Sequence, residues 1–209
     1  MPRILPVRFD SGVCPAIREA VKTLAAGELV VVPTDTVYGV AADPKVPGAE
    51  ERIFAAKSRD RGKPIPLLAA GLPEVEKLGA VLGEVERRLA GAFWPGPLTL
   101  VLKVGDAEEG LRVPDCPAAR ALIREAGGVL RVTSANQSGE PAALDARQAA
   151  AALAGFVTLV LDAGPAPGGT ASSVVRVEAG RVLLLREGAL SAADLRRAAG
   201  VQVEAARKN

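Results

Sequence analysis

No histidine occurs anywhere in this chain of 209 residues. Its absence removes the Ser-His-Asp and Cys-His mechanisms, together with the commonest general base near neutral pH. Cysteine is nearly absent too: Cys14 and Cys116 stand alone, without Cys-x-x-Cys spacing, which argues against a structural zinc. Aromatic residues make up 3% of the chain, so the core is expected to be aliphatic and few rings are available to stack on bases. No stretch approaches the roughly eighteen apolar residues of a membrane span, and Met1 to Phe9 lacks the apolar run of a signal peptide. A soluble cytoplasmic protein is the expectation, with no membrane partner. Charge of one sign is also missing in excess. With 26 basic against 24 acidic residues, no overall field draws the chain to nucleic acid, and any basic site must be local.

What is present is ample material for a core: 49% apolar residues and a mean hydropathy of +0.22. Ile17, Val21 and Leu24 recur at helical spacing between Pro15 and Ala26, with Gly27 as the stop. Leu29-Val30-Val31-Val32 reads as a buried strand. The pattern then predicts a helix over 49–57, a strand over 65–69, helices between Pro73 and Ala92, and a strand over 98–104. A helix after Pro117, strands over 130–133 and 158–161, and a helix near 146–153 continue the alternation. Strands over 173–177 and 182–185 flank a Gly180 hairpin, and Ser191 with Asp194 resembles a capping box opening a last helix. Interleaved helices and strands predict an α/β fold, one domain over 1–209 built on a twisted mixed sheet with flanking helices. Its core is expected over about 10–190, with a C-terminal helix at 191–200 and a short tail. Gly164 to Gly169 is the most loop-like stretch, a candidate mobile segment over a site.

Two readings stand open for each polar segment. Pro33-Thr34-Asp35-Thr36-Val37-Tyr38-Gly39 follows an apolar strand, where ligands bind in open α/β sheets, or is an ordinary polar turn. Lys57, Arg59, Arg61 and Lys63 form either a solvated basic helix end or a phosphate clamp. Phe93 to Leu100 reads as a rigid turn delivering a core strand, and Arg112 as a surface arginine after a loop. Val132 to Gly139 again places small polar groups after a strand, to hold a ligand or to cap a turn. Gly168 to Ser173 sets glycines beside hydroxyls, which could admit a phosphate, although a P-loop's lysine and spacing are missing.

Taken in order, these segments resemble the YrdC/Sua5 family of threonylcarbamoyl-AMP synthases, over nearly the whole chain. The resemblance rests on Pro33 to Gly39, Lys57-Ser58-Arg59 with Lys63-Pro64, Trp94-Pro95-Gly96-Pro97-Leu98-Thr99, Arg112-x-Pro114, Ser134-Ala135-Asn136-x-Ser138-Gly139 and Ser172-Ser173-Val174-Val175. It implies a large concave basic cavity and a nucleotidyltransferase that joins L-threonine, bicarbonate and ATP into threonylcarbamoyl-AMP and pyrophosphate. The product would feed a threonylcarbamoyl-transferase complex modifying tRNA. By the same resemblance, Thr34, Thr36, Arg112, the main chain near Val132, and Ser172 surround threonine and its carbamate. Arg59, Lys63, Ser134, Asn136, the backbone near Ala142, and Arg186 hold ATP, while Lys57 and Arg59 are the catalytic candidates. Mg2+ is expected to arrive with ATP, with no dedicated protein ligand. Where some relatives carry a histidine after the basic motif, this chain has Pro66-Leu67-Leu68, and its C-terminus suggests the short single-domain form. Two alternatives accompany this reading: a non-catalytic module binding tRNA or double-stranded RNA, and a carbamoyl-adenylate-forming domain.

Overall fold

The computed structural model describes residues 1–8 and 14–206; residues 9–13, where the expected core begins, and 207–209 of the expected tail lie outside the described residues. In chain order the first half comprises β1 (Arg3–Pro6), α1 (Pro15–Ala25), β2 (Val30–Val32), β3 (Gly39–Ala42), α2 (Ala49–Lys57), β4 (Leu67–Ala69), α3 (Leu72–Lys77), β5 (Ala80–Val81) and α4 (Glu84–Phe93). The second comprises β6 (Leu98–Val104), β7 (Ala107–Arg112), α5 (Pro117–Glu125), β8 (Val129–Ser134), α6 (Ala146–Ala152), β9 (Leu159–Asp162), β10 (Ser173–Glu178), β11 (Arg181–Arg186), α7 (Ala192–Ala199) and β12 (Val203–Ala205).

Proline starts α1 and α5, where the missing N–H has no helical partner to lose and the fixed φ suits the first turn. Gly27, at φ +79°, takes the left-handed conformation that ends the first of them. Ser191 caps α7 through the reciprocal box with Asp194. All the strands join one 12-stranded sheet in the order β1-β9-β2-β3-β8-β4-β7-β6-β10-β11-β12, with β5 on β6. Parallel pairs (β2 with β9, β6 with β10) and antiparallel pairs (β2 with β3, β6 with β7) are mixed along it. The stretch after α7, expected as a bare tail, is instead part of the sheet, since β12 pairs in parallel with β11.

Successive side chains of a strand face opposite sides, and β2 uses both. Val30 and Val32 pack under α1 and α5 with Leu24, Leu122 and Leu161, while Val31 packs under α2 and α6 with Ile53 and Leu153. A third cluster joins α4 and α7 to β6, β7, β10 and β11 through Leu89, Leu98, Leu111, Val175 and Leu195. Covering of both faces explains why β2 reads as a continuous apolar run.

Register brings the motifs together. The β2–β3 pair closes at Val32 and Gly39, so Pro33 to Tyr38 is the connection between them. Gly39 also pairs with Ser134 of β8, which sets the Ser134 turn against that connection. On the other side of the cavity, Ser173 pairs with Leu98 and Val174 with Thr99.

Candidate active site

A cavity of about 430 Å³ opens where these segments meet. Thr34, Thr36 and Tyr38 line it from the β2–β3 connection, Val132 and Ser134 from β8, and Arg59 and Pro64 from the segment after α2. Thr99, Arg112, Ser172, Arg176 and Arg186 close the far side. Four arginines face one glutamate, Glu108, which is itself held by Arg176 at 3.1 Å.

Arg112 organises the wall around the β2–β3 connection. Although the sequence suggests a surface arginine after a loop, it is the last residue of β7 and 5% exposed. The polar stretch Ala107 to Gly110 forms a strand because it pairs along β6, and that pairing carries Arg112 inward. Its Nε donates to Gly96 O at 3.0 Å, Nη1 to Thr36 Oγ1 at 3.0 Å and Nη2 to Asp35 Oδ1 at 2.5 Å. Burial lowers its pKa and Asp35 opposes that shift, yet a guanidinium stays charged throughout the working range. Thr34 Oγ1 donates to Val37 O at 2.6 Å and lies 3.0 Å from Thr36 Oγ1, which folds the connection so that both hydroxyls turn inward.

The other end is cationic. Arg59 Nε and Nη2 donate to Lys63 O at 3.0 Å and Pro64 O at 3.2 Å, and Arg186 clasps Ser172 O through Nε and Nη2 at 3.1 and 2.7 Å. Burial lowers the pKa of both, and for Arg186 the charge of Arg59 adds to the effect. Two guanidiniums that feel each other across a cavity make a place for a polyanion.

Several expected residues stand elsewhere. Lys57 is 1% exposed and does not line the cavity. Its Nζ donates to Ser134 O and Asn136 O, each at 2.5 Å, and to Asn136 Oδ1 at 3.3 Å, while its own carbonyl accepts from Ser138 N at 3.1 Å. A buried ammonium needs such acceptors, and here they brace the Ser134 turn from behind. Burial, then Arg59, lowers it to about 8. Asn136 is buried in the same turn, its Nδ2 donating to Gln137 O and Glu140 O at 2.9 and 2.6 Å. Lys63 and Ala142 are also off the lining: the exposed Lys63 offers its carbonyl to Arg59, and Ala142 precedes Ala143, whose carbonyl accepts from Tyr38 N at 2.9 Å.

Thr99, Tyr38, Arg176 and Glu108 line the cavity without having been singled out as site residues. For Thr99 a signal existed, a lone hydroxyl alternating with the core residues Leu98 and Leu100. The stretch Gly164 to Gly169 is anchored, with Gly164 O accepting from Tyr38 Oη at 2.6 Å and Ala166 N donating to Leu144 O at 2.7 Å. Gly168 packs against the Asp35 and Thr36 main chain so closely that a Cβ would lie 2.6 Å from Asp35 O. Burial pushes the Tyr38 phenol up to about 12, keeping it a donor to that loop. As for a metal, no cluster of three or more acidic or cysteine side chains stands ready to hold one among the described residues.

Fold and site together define a mixed α/β protein with a cavity lined by hydroxyls and four arginines, with no cysteine in its lining. Residues 22–188 match the Sua5/YciO/YrdC family model, whose description reads telomere recombination. A Mycobacterium tuberculosis protein provisionally named a threonylcarbamoyl-AMP synthase is 38% identical over 195 residues, covering 88% of this chain and 89% of its own. The Bacillus subtilis threonylcarbamoyl-AMP synthase is 35% identical over 188 residues, 85% of this chain but 54% of that protein. The structure of Pyrococcus abyssi Sua5 complexed with L-threonine superposes with a TM-score of 0.86 at 31% identity, over 97% of this chain and 62% of that one. This chain belongs to the Sua5/YciO/YrdC family.

Proposed function

We propose that this chain is an L-threonylcarbamoyladenylate synthase, a nucleotidyltransferase that forms threonylcarbamoyl-AMP and pyrophosphate from L-threonine, bicarbonate and ATP. The observation that carries the reading is one cavity lined by Arg112, Thr36 and Ser172 together with Arg59 and Arg186, with Arg186 in direct contact with Ser172 where the amino-acid and nucleotide sides would meet. The names of the Mycobacterium tuberculosis and Bacillus subtilis relatives and the L-threonine bound to Pyrococcus abyssi Sua5 support it.

The chemistry asks for no enzyme nucleophile. Threonine's amine takes up bicarbonate with loss of water, giving a carbamate. A carbamate oxygen attacks the α-phosphorus of ATP, the bond from that phosphorus to the bridging oxygen breaks, and pyrophosphate leaves with the electron pair. What the protein supplies is alignment of two anions and neutralisation of the charge that gathers on the phosphates. Arg112 meets the amino-acid carboxylate, with Thr36 turned toward it by Thr34. Arg59, Arg186 and Ser134 face the nucleotide, and Lys57 with Asn136 sets the shape of the Ser134 turn. Mg2+ brought with ATP would be held through the nucleotide and not by a dedicated protein ligand, and would supply charge neutralisation. Such an enzyme serves tRNA modification in the cytoplasm and hands its product to a threonylcarbamoyl-transferase.

The test is pyrophosphate release from ATP. Release is expected only when L-threonine and bicarbonate are both present; release that ignores either substrate overturns the reading.

A further inference from the structure

Two hydroxyls of the cavity wall, one on β6 and one just before β10, share a hydrogen bond that the reaction scheme leaves unused. Thr99 Oγ1 lies 2.9 Å from Ser172 Oγ, and the residues are 3% and 5% exposed. Ser172 Oγ also accepts from Arg186 Nη2 at 3.1 Å. Thr99 Oγ1 has no other hydrogen-bond partner among the described residues.

Either hydroxyl can donate in that bond, and in each case one hydrogen of the pair is left over. A hydroxyl carries one hydrogen and accepts through two lone pairs. Among the described residues each hydroxyl hydrogen has the other residue's oxygen as its one protein acceptor, so whichever hydroxyl donates leaves its partner's hydrogen facing the cavity. With Thr99 donating, both lone pairs of Ser172 Oγ are filled, one by Thr99 and one by Arg186. The Ser172 hydrogen is then the one left to point at a ligand.

Position supports this. Leu100 of β6 pairs with Leu111 of β7, so Thr99 lies one step along, opposite Arg112, and on its other side it pairs with Val174 of β10. Thr99 thus links the Ser172 hydroxyl, whose own guanidinium contact is Arg186, to the strand position opposite Arg112. We propose that Thr99 is a positioning residue: it fills the second acceptor of Ser172 and so fixes the Ser172 hydroxyl as a donor to the amino-acid substrate. This rests on the function proposed above, with Ser172 on the amino-acid side.

The experiment measures L-threonine binding by calorimetry, and KM for threonine and for ATP, in wild type, Thr99→Val, Thr99→Ser, Ser172→Ala and the double variant Thr99→Val/Ser172→Ala. Thr99→Val should raise the Kd and KM for threonine about 10-fold, the scale of one hydrogen bond to a charged group, and leave the KM for ATP within about two-fold. Thr99→Ser restores the hydroxyl and should restore the affinity, which a packing role for the methyl group would not. The double variant should bind no more weakly than Ser172→Ala alone, because Thr99 acts through Ser172. Additive losses, an unchanged Thr99→Val, or no recovery in Thr99→Ser overturns the proposal. Should Thr99→Val fail to fold, the Thr99→Ser affinity decides, since loss there with an intact circular dichroism spectrum counts against it. A wild type that binds no threonine removes the enzymatic reading and this proposal with it, an outcome distinct from those in which wild type binds and only the variants disagree.

Discussion

At the scale of single residues, Arg112 and Lys57 are both buried cations, yet their surroundings give them different work. Arg112 spends one N–H on a carbonyl, one on the Thr36 hydroxyl and one on Asp35, leaving further donors for a ligand. Lysine cannot copy that planar fork, so Arg112→Lys should lower kcat/KM for threonine on the order of 100-fold, as misplaced ligands do in enzymes that work by alignment. Arg112→Ala should in addition destabilise the fold by roughly 3–5 kcal/mol in denaturant melts, because Asp35, mostly buried, loses its partner. A wild-type melting profile in Arg112→Ala would mean that the ion pair carries none of this stability. For Lys57 the readout is pH. Its folded value of about 8 lies below the ordinary 10.5, so between these two the unfolded chain holds the proton that the folded chain has released. Stability contributed by this group is therefore present above about 10.5 and is lost as pH falls toward 8. Relative to Lys57→Met, wild-type unfolding free energy should rise between pH 8 and pH 10.5; a difference that stays flat with pH contradicts this assignment.

At the scale of elements, the Gly164 to Gly169 loop acts as a strap across the back of the β2–β3 connection. Tyr38 holds one end, and Gly168 presses on the main chain of Asp35 and Thr36. Because the obstacle there is backbone, Gly168→Ala should push the connection inward and raise the KM for threonine several-fold. With no core residue changed, Tm should move by only a few degrees; an unaltered KM would show that the strap does not set the wall. Helices of this fold were legible in the sequence because Pro15, Pro117 and the Ser191 box mark their starts and apolar spacing marks their faces. The strands β6 and β2 were legible as apolar runs. By contrast β7 reads Ala-Glu-Glu-Gly-Leu-Arg, and β3 is Gly-Val-Ala-Ala with no alternation; both owe their strand state to partners distant in the chain. This is also why Arg112 looked like a surface residue: burial of its charge is set by the register of the sheet, which local composition does not encode.

At the scale of the whole molecule, the cavity joins regions with separate cores. Its walls come from the β2–β3 connection, β3 and β8, which rest on the clusters under α1, α2, α5 and α6, and from β6, β7, β10 and β11, which rest on the cluster with α4 and α7. A ligand held by Arg59, Arg112 and Arg186 at once therefore ties the two sides together in the folded state only. Saturation at about a hundred times Kd then stabilises folding by about 2.7 kcal/mol. For a chain of this size that corresponds to a rise in Tm of roughly 5–10 °C. Since the net charge is only +2, the effect must come from local placement of arginines and not from a general attraction for anions. Thermal melts with ATP, with L-threonine and with sulfate at matched ionic strength separate these cases. ATP and threonine should each raise Tm, Arg112→Ala should lose the threonine shift while keeping that of ATP, and sulfate should give little. An equal rise with sulfate would make the cavity an unselective anion trap, and the division of its two ends between amino acid and nucleotide would have to be abandoned.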